Sequence, residues 1–258
     1  MTTNVILLKK KKFTNPILMV GLPGIGLVGK ICVDYFLKHF KPELIAEVYS
    51  DAFPPSVHTK GSVIEMISDQ IYAFKFKDRH FLFLAGPVQP SLDMRAGAGE
   101  DHYDFAETII ATVKKLGVKQ VFTLAGINIG DKRMETKPRV VVAATNKKLL
   151  QEFKSAGAKT DQKEGLISGA AGLLVGIAAH HGIEGACLMG ETNARLIYGD
   201  HGAAKALIEL LVKKFGFQVD MESIERDAKN IEETFKKLAS KFEEVEDKMP
   251  TDGPSYVR

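Results

Sequence analysis

The 258 residues are enough for one large α/β domain or two small ones, and 45% hydrophobic with 26% charged residues is an ordinary globular composition. A formal net charge of +3, from 35 basic against 32 acidic residues, gives no push toward nucleic acid or a membrane surface. The two cysteines, Cys32 and Cys187, form no CxxC pair, which argues against a disulfide framework or zinc site and fits a reducing cytoplasm.

The chain opens MTTNVILLKKKKF, with its short apolar stretch before the lysines, the reverse of a secretory signal. No apolar run reaches the ~20 residues needed to span a bilayer. Asn4–Leu8 and Pro16–Val20 read as two strands, with Lys9–Lys12 as the solvated hairpin turn between them. A helix follows over Leu27–Phe40, then a strand over Glu43–Tyr49 and a break at Phe53-Pro-Pro-Ser56. Three strands come in quick succession: Ser62–Ile67, Ile71–Phe76 and Phe81–Ala85. After the loop Val88–Gly99, Glu100–Leu116 carries Tyr103, Ala106, Ile110 and Val113 on one helical face. Val121–Ala125 reads as a buried strand turning at Gly126–Gly130, followed by a strand over Arg139–Ala144 and a helix over Lys147–Ser155. Ile167–His180 is a helix dense in small residues, and each glycine there costs about 1 kcal/mol against alanine, so close backbone packing is expected. A strand over Glu184–Met189 and a helix over His201–Phe215 complete the core. Strands alternating with helices predict a mostly parallel or mixed sheet covered on both faces, a three-layer α/β fold over residues 1–219.

The glycine-dense segment after the second strand can be read in two ways. Gly24-Ile-Gly-Leu-Val-Gly29 matches GxGxxG between a strand and a helix, with Glu47 and Asp51 near the distance of a ribose-binding acid. Gly24-x-x-x-x-Gly29-Lys30 also matches the body of a P-loop, but Ile31 stands where a hydroxyl must hold magnesium. One reading is a tight strand-to-helix crossover. The other is an anion-binding loop of Gly24, Gly26, Gly29 and Lys30, which would make the chain a nucleotide- or phosphate-binding enzyme. Other polar candidates are His180-His181, the group Asp93, Arg95, Glu100, Asp101 and His102, and Glu191-Thr192-Asn193 after the last strand. No nucleophile–base arrangement follows from spacing, and the residues predict no catalytic group, cofactor or metal.

Residues 220–248 differ from the rest. Met221, Ile224, Ala228, Ile231, Phe235, Leu238, Phe242, Val245 and Met249 recur at alternating spacings of three and four, an unbroken seam with Glu and Lys between. Such a helix lies on its own core or packs against another subunit or partner, through Ile224, Ile231, Phe235, Leu238 and Phe242. Residues 249–258, with Pro250, Gly253 and Pro254, read as a flexible tail.

The order of motifs resembles the archaeal proteasome assembly chaperone family, homologues of the second subunit of the eukaryotic assembly chaperone pair. The resemblance rests on Met19–Lys30, Gly86–Pro90, His102–Ala106, Thr123–Gly126, Ile167–Leu174, Gly190–Thr192 and Asp200–Leu207, and covers roughly residues 4–246. It implies a phosphorylase/hydrolase-like α/β fold, homo-oligomers, and help in building the proteasome core particle through contact with its α-subunits. Some relatives end in a hydrophobic–Tyr–any motif that docks between α-subunits. This chain departs from that motif: it ends Ser255-Tyr256-Val257-Arg258, with the tyrosine third rather than second from the end and a serine, not a hydrophobic residue, before it; despite this imperfect match, Tyr256, Val257 and Arg258 are the expected partner-binding residues.

Overall fold

The computed structural model describes residues 3–9, 11–90, 98–161, 165–226 and 228–229. The described residues form ten strands: β1 Thr3–Leu7, β2 Ile17–Gly21, β3 Glu43–Ser50, β4 Val57–Lys60, β5 Val63–Met66, β6 Asp69–Phe76, β7 Arg79–Ala85, β8 Gln120–Asn128, β9 Val140–Ala144 and β10 Glu184–Thr192. The helices are α1 Val28–Phe40, α2 Ala98–Lys115, α3 Lys132–Glu135, α4 Lys147–Ala156, α5 Gly169–His180 and α6 His201–Phe215.

Eight strands make one sheet in the order β1-β3-β6-β7-β2-β8-β10-β9, parallel from β7 to β10 and antiparallel toward both ends. β2 is buried along its whole length, as a strand covered on both faces must be. On one face α1, α4 and α6 bury Cys32, Val33, Phe36, Phe153, Leu207 and Leu211. On the other, α2 and α5 bury Phe105, Ile109, Val113, Leu174 and Ala178. The α/β three-layer architecture with a mixed sheet is as the alternation of elements predicts.

Individual elements differ from expectation. The lysine segment is not a hairpin turn: β1 pairs with β3, while β2 pairs with β7 and β8. Lys9 and Lys11 instead ion-pair with Glu43, and the two ammonium groups hold its carboxyl down to about 2. β4 forms where the sequence shows no apolar run, and β8 continues through Gly126 to Asn128, two residues short of Gly130. In α5 the small residues act unevenly. An added Cβ at Gly172 would come 2.0 Å from the Ile167 carbonyl oxygen, but one at Gly176 would meet nothing within 4 Å.

α6 is bounded by its own sequence. The Asp200 carboxylate accepts from the Ala203 amide at the N-cap, and Gly216 ends the helix at φ 71°. The chain then turns back through Phe217, which packs among Phe36, Phe40, Phe76, Phe81 and Phe215. Of the seam, Ile224 and Ala228 are buried, and Ile224 joins the core on the α1/α6 face. Ile231, Phe235, Leu238 and Phe242 lie outside the described residues, as do Asp93, Arg95, Tyr256, Val257 and Arg258.

Candidate functional site

The loops that follow β2, β8 and β10 meet at the carboxyl ends of the parallel strands, where open α/β sheets bind ligands. After β2 the chain makes a short 3-10 turn over Ile25–Leu27 and enters α1. Gly26 has φ 60°, and a Cβ there would sit 2.5 Å from the Thr192 hydroxyl. A Cβ at Gly29 would come 1.8 Å from the Leu124 carbonyl oxygen, so α1 meets β8 backbone to backbone. Loop peptide groups are also used inward: Leu27 donates to the Gly24 carbonyl, and the Gly26 carbonyl accepts from the Asp200 amide. Lys30 pairs with Asp34 one turn along its own helix, Nζ to Oδ2 2.6 Å. At Gly24 an added Cβ would meet nothing within 4 Å.

Behind the loop lies a buried polar knot that the sequence reading missed. Arg133 on α3 donates through Nε and Nη2 to the two oxygens of Asp200, each at 2.8 Å, and both side chains are buried. Asp200 also accepts from the Thr192 hydroxyl at 2.9 Å and the Ala203 amide at 2.9 Å. The knot therefore joins α3, β10, the start of α6 and, through the Asp200 amide, the glycine loop. The Asp-His-Gly-Ala-Ala run carried an N-cap signal for Asp200, while nothing local marked Arg133.

The predicted polar triplet after the last strand is placed here but dispersed. Glu191 is held by Arg139, which donates from its backbone amide and guanidinium. Burial raises the Glu191 carboxyl, and the bonds and charge of Arg139 outweigh this, leaving it below the usual carboxylate range. Thr192 turns to Asp200, and Asn193 donates to Asp131 at 3.2 Å. His181 faces Glu107 across to α2. Among the described residues no group of three or more His, Cys, Asp or Glu is arranged to hold a metal ion. Cys32 and Cys187 are buried, and burial pushes both thiols up, Cys187 to about 11.

Beside the knot is a cavity of about 380 Å³ between Leu22–Ile25, Gly126–Asn128 and the start of α5. Its lining is largely apolar, including Val20, Ile127, Val141 and Met189. The same end of the sheet exposes Ile25, Met134, Leu166, Ile197 and Tyr198. Among the described residues no helix is long and apolar enough to cross a membrane. The site thus combines a glycine crossover locked onto the sheet with an apolar, loop-built surface around a modest cavity.

Helices on both faces of a mixed sheet make this a three-layer α/β domain, and comparison with known proteins shows its family. Residues 18–239 match the PAC2 family, and the chain belongs to that family. It is 35% identical to the uncharacterized protein MJ1210 of Methanocaldococcus jannaschii over 231 residues, covering 89% of this chain and 85% of that one. It is similar to Pyrococcus furiosus PbaB, described as an archaeal proteasome activator, with 30% identity, a TM-score of 0.82, and 92% and 99% of the two chains covered. It is also similar to P. furiosus PbaA, an archaeal homolog of proteasome-assembly chaperone, with 26% identity, a TM-score of 0.72, and 96% of each chain covered.

Proposed function

We propose that this chain is a non-enzymatic, homo-oligomeric chaperone or adaptor that contacts proteasome α-subunits during assembly of the core particle. The observation that carries the reading is the likeness to PbaB and PbaA over more than nine-tenths of the chain. In this reading the α/β body is a scaffold, the seam from Ile231 to Phe242 joins subunits or grips the partner, and Tyr256–Arg258 contribute to docking. Tyrosine is favoured at binding hot spots, and a chain-terminal carboxylate suits capture in a basic groove. Surface plasmon resonance on assembled α-rings tests it. Full-length protein is expected to bind, and removal of Ser255–Arg258 to weaken binding at least tenfold. Absence of binding by the full-length chain refutes the reading, whereas unchanged affinity of the shortened chain moves the contact to the seam or body.

A second reading, action on the completed particle, is favoured by the higher similarity to PbaB than to PbaA. It predicts binding to mature core particle as tight as to free α-rings.

The glycine loop is read as a structural crossover, supported by Gly29 against Leu124, Gly26 against Thr192 and the pairing of Lys30 with Asp34. Lys30→Ala is then expected to leave oligomeric mass unchanged, and ATP, NAD or phosphate to leave the melting temperature unchanged. A ligand at about 100 times its Kd would add about 2.7 kcal/mol. ATP hydrolysis abolished by Lys30→Ala would instead establish the enzyme reading.

A further inference from the structure

After Gly216 the chain reverses, and its contacts fix the direction it then takes. The Gln218 carbonyl oxygen lies 3.0 Å from His39 Nε2, near the end of α1. The Asp220 carbonyl accepts from the Tyr35 hydroxyl, one turn nearer the start of that helix. Residues 221–226 are helical, and Glu225 ion-pairs at 3.0 Å with Lys205, near the start of α6. Both α1 and α6 begin at the carboxyl end of the parallel strands. Residues 218–225 therefore climb beside these two helices toward that end, with Ile224 buried in the core they share. Ala228 is buried one turn further on.

Above them is a bare apolar rim. Gly199 closes the top of the α1/α6 face, where an added Cβ would stand 2.6 Å from Ile31 Cδ1 and 3.7 Å from Leu27 Cβ. Beside it Ile197 and Tyr198 are 71% and 88% exposed, and Ile25, just before Leu27, is exposed as well. A helix rises about 1.5 Å per residue, so Lys205 stands about 6 Å below the start of α6 and a position six beyond Glu225 stands about 9 Å above Glu225. That position is Ile231, which a continuing helix brings level with the rim. The spacing Ile224, Ala228, Ile231, Phe235 keeps all four on one helical face, the face that the first two already turn to the body. We infer that Ile231 and Phe235 dock on Ile197, Tyr198 and Ile25 of their own chain. The described residues end at 229, aimed at this rim and one residue short of the segment that would cover it. Tethered at Ala228, the segment meets the rim at an effective concentration in the millimolar range, which a second copy at micromolar concentration does not match.

The docking needs neither a second copy nor a proteasome. It divides the seam, giving Ile231 and Phe235 to the body and leaving Leu238 and Phe242 for another chain. Tyr198→Cys in the full-length chain reports on it, because Cys32 and Cys187 are buried. Maleimide is expected to label Tyr198→Cys at least tenfold more slowly than the same variant carrying Ile231→Asp and Phe235→Asp. Cys32 and Cys187 are expected to stay unlabelled in both, which shows that the body is folded. A short bis-maleimide applied to Tyr198→Cys with Ile231→Cys is expected to link the two positions within one chain and leave a single-chain mass on a denaturing gel. Equal labelling rates with and without the two aspartates overturn the docking. So does the absence of a link within the chain, or a link that gives the mass of a dimer, which assigns the rim to a second copy. Loss of α-ring binding with the protection of Tyr198→Cys intact counts against the proposed function alone.

Discussion

Replacing Arg133 with alanine is expected to destabilise the fold by about 3–5 kcal/mol, the range for removing one partner from a buried ion pair. The Asp200 carboxylate is fully buried and accepts four hydrogen bonds, two of them from the Arg133 guanidinium. Without Arg133 its charge stays in the interior with only a hydroxyl and one amide to hold it. Asp200→Ala is expected to cost at least as much, because it strands the guanidinium and also uncaps α6, a loss of about 1 kcal/mol in itself. The two changes should not add. A double variant, Arg133→Met with Asp200→Leu, removes both charges and is expected to recover part of the loss, since apolar replacement of a whole buried pair is often neutral. Urea midpoints of the four proteins measure this. If Arg133→Ala costs less than 1 kcal/mol, the knot does not hold the loops together.

How much of this could be read beforehand follows from where each signal resides. The central strands were legible because burial on both faces forces continuous apolar runs, as in Ile17-Leu-Met-Val20 and Phe81-Leu-Phe-Leu84. Pairing was less legible. β1 and β2 are neighbours in sequence and carry hairpin punctuation, yet β3, β6 and β7 lie between them in the sheet. That order is fixed by α1 and its crossover, which no local window contains. β4 was not legible because Val57-His-Thr-Lys60 is four residues with a single strongly apolar one, directly after the Phe53-Pro-Pro-Ser56 break, whereas β5 carries Val63, Ile64 and Met66. At the site, the glycines were visible as glycines, but whether they faced a ligand or a strand depended on Leu124 and Thr192, about a hundred and more residues away. Asp69 was silent for a related reason. In Ile-Ser-Asp-Gln, between two strands, it reads as a turn residue.

Asp69 gives the second large effect, a stability that depends on pH in a direction unusual for a carboxylate. It opens β6 beside the end of β7, where Gly86 leaves it room; a Cβ on Gly86 would stand 1.7 Å from its Oδ1. The side chain is fully buried, and neither oxygen makes a well-formed hydrogen bond among the described residues, the Val88 amide giving it only a weak interaction. Burial pushes its pKa up to about 8, against smaller opposing effects of the Val88 amide and the Lys30 charge. In the unfolded chain the group titrates near 4. Below about pH 4 both states are protonated and Asp69 carries no penalty. Between about 4 and 8 the folded state holds the proton that the unfolded state has lost, so stability falls as pH rises. Above about 8 both states are ionised and the penalty is complete. Asp69→Asn removes the titration while keeping the shape. It is therefore expected to match the parent at pH 5 to within about 1 kcal/mol and to exceed it by a few kcal/mol at pH 9. Other titrating groups are common to both proteins and cancel in the difference between their urea midpoints. Parallel pH profiles for the two proteins would show that Asp69 is ionised in the folded state throughout, with a partner for its charge that outweighs its burial.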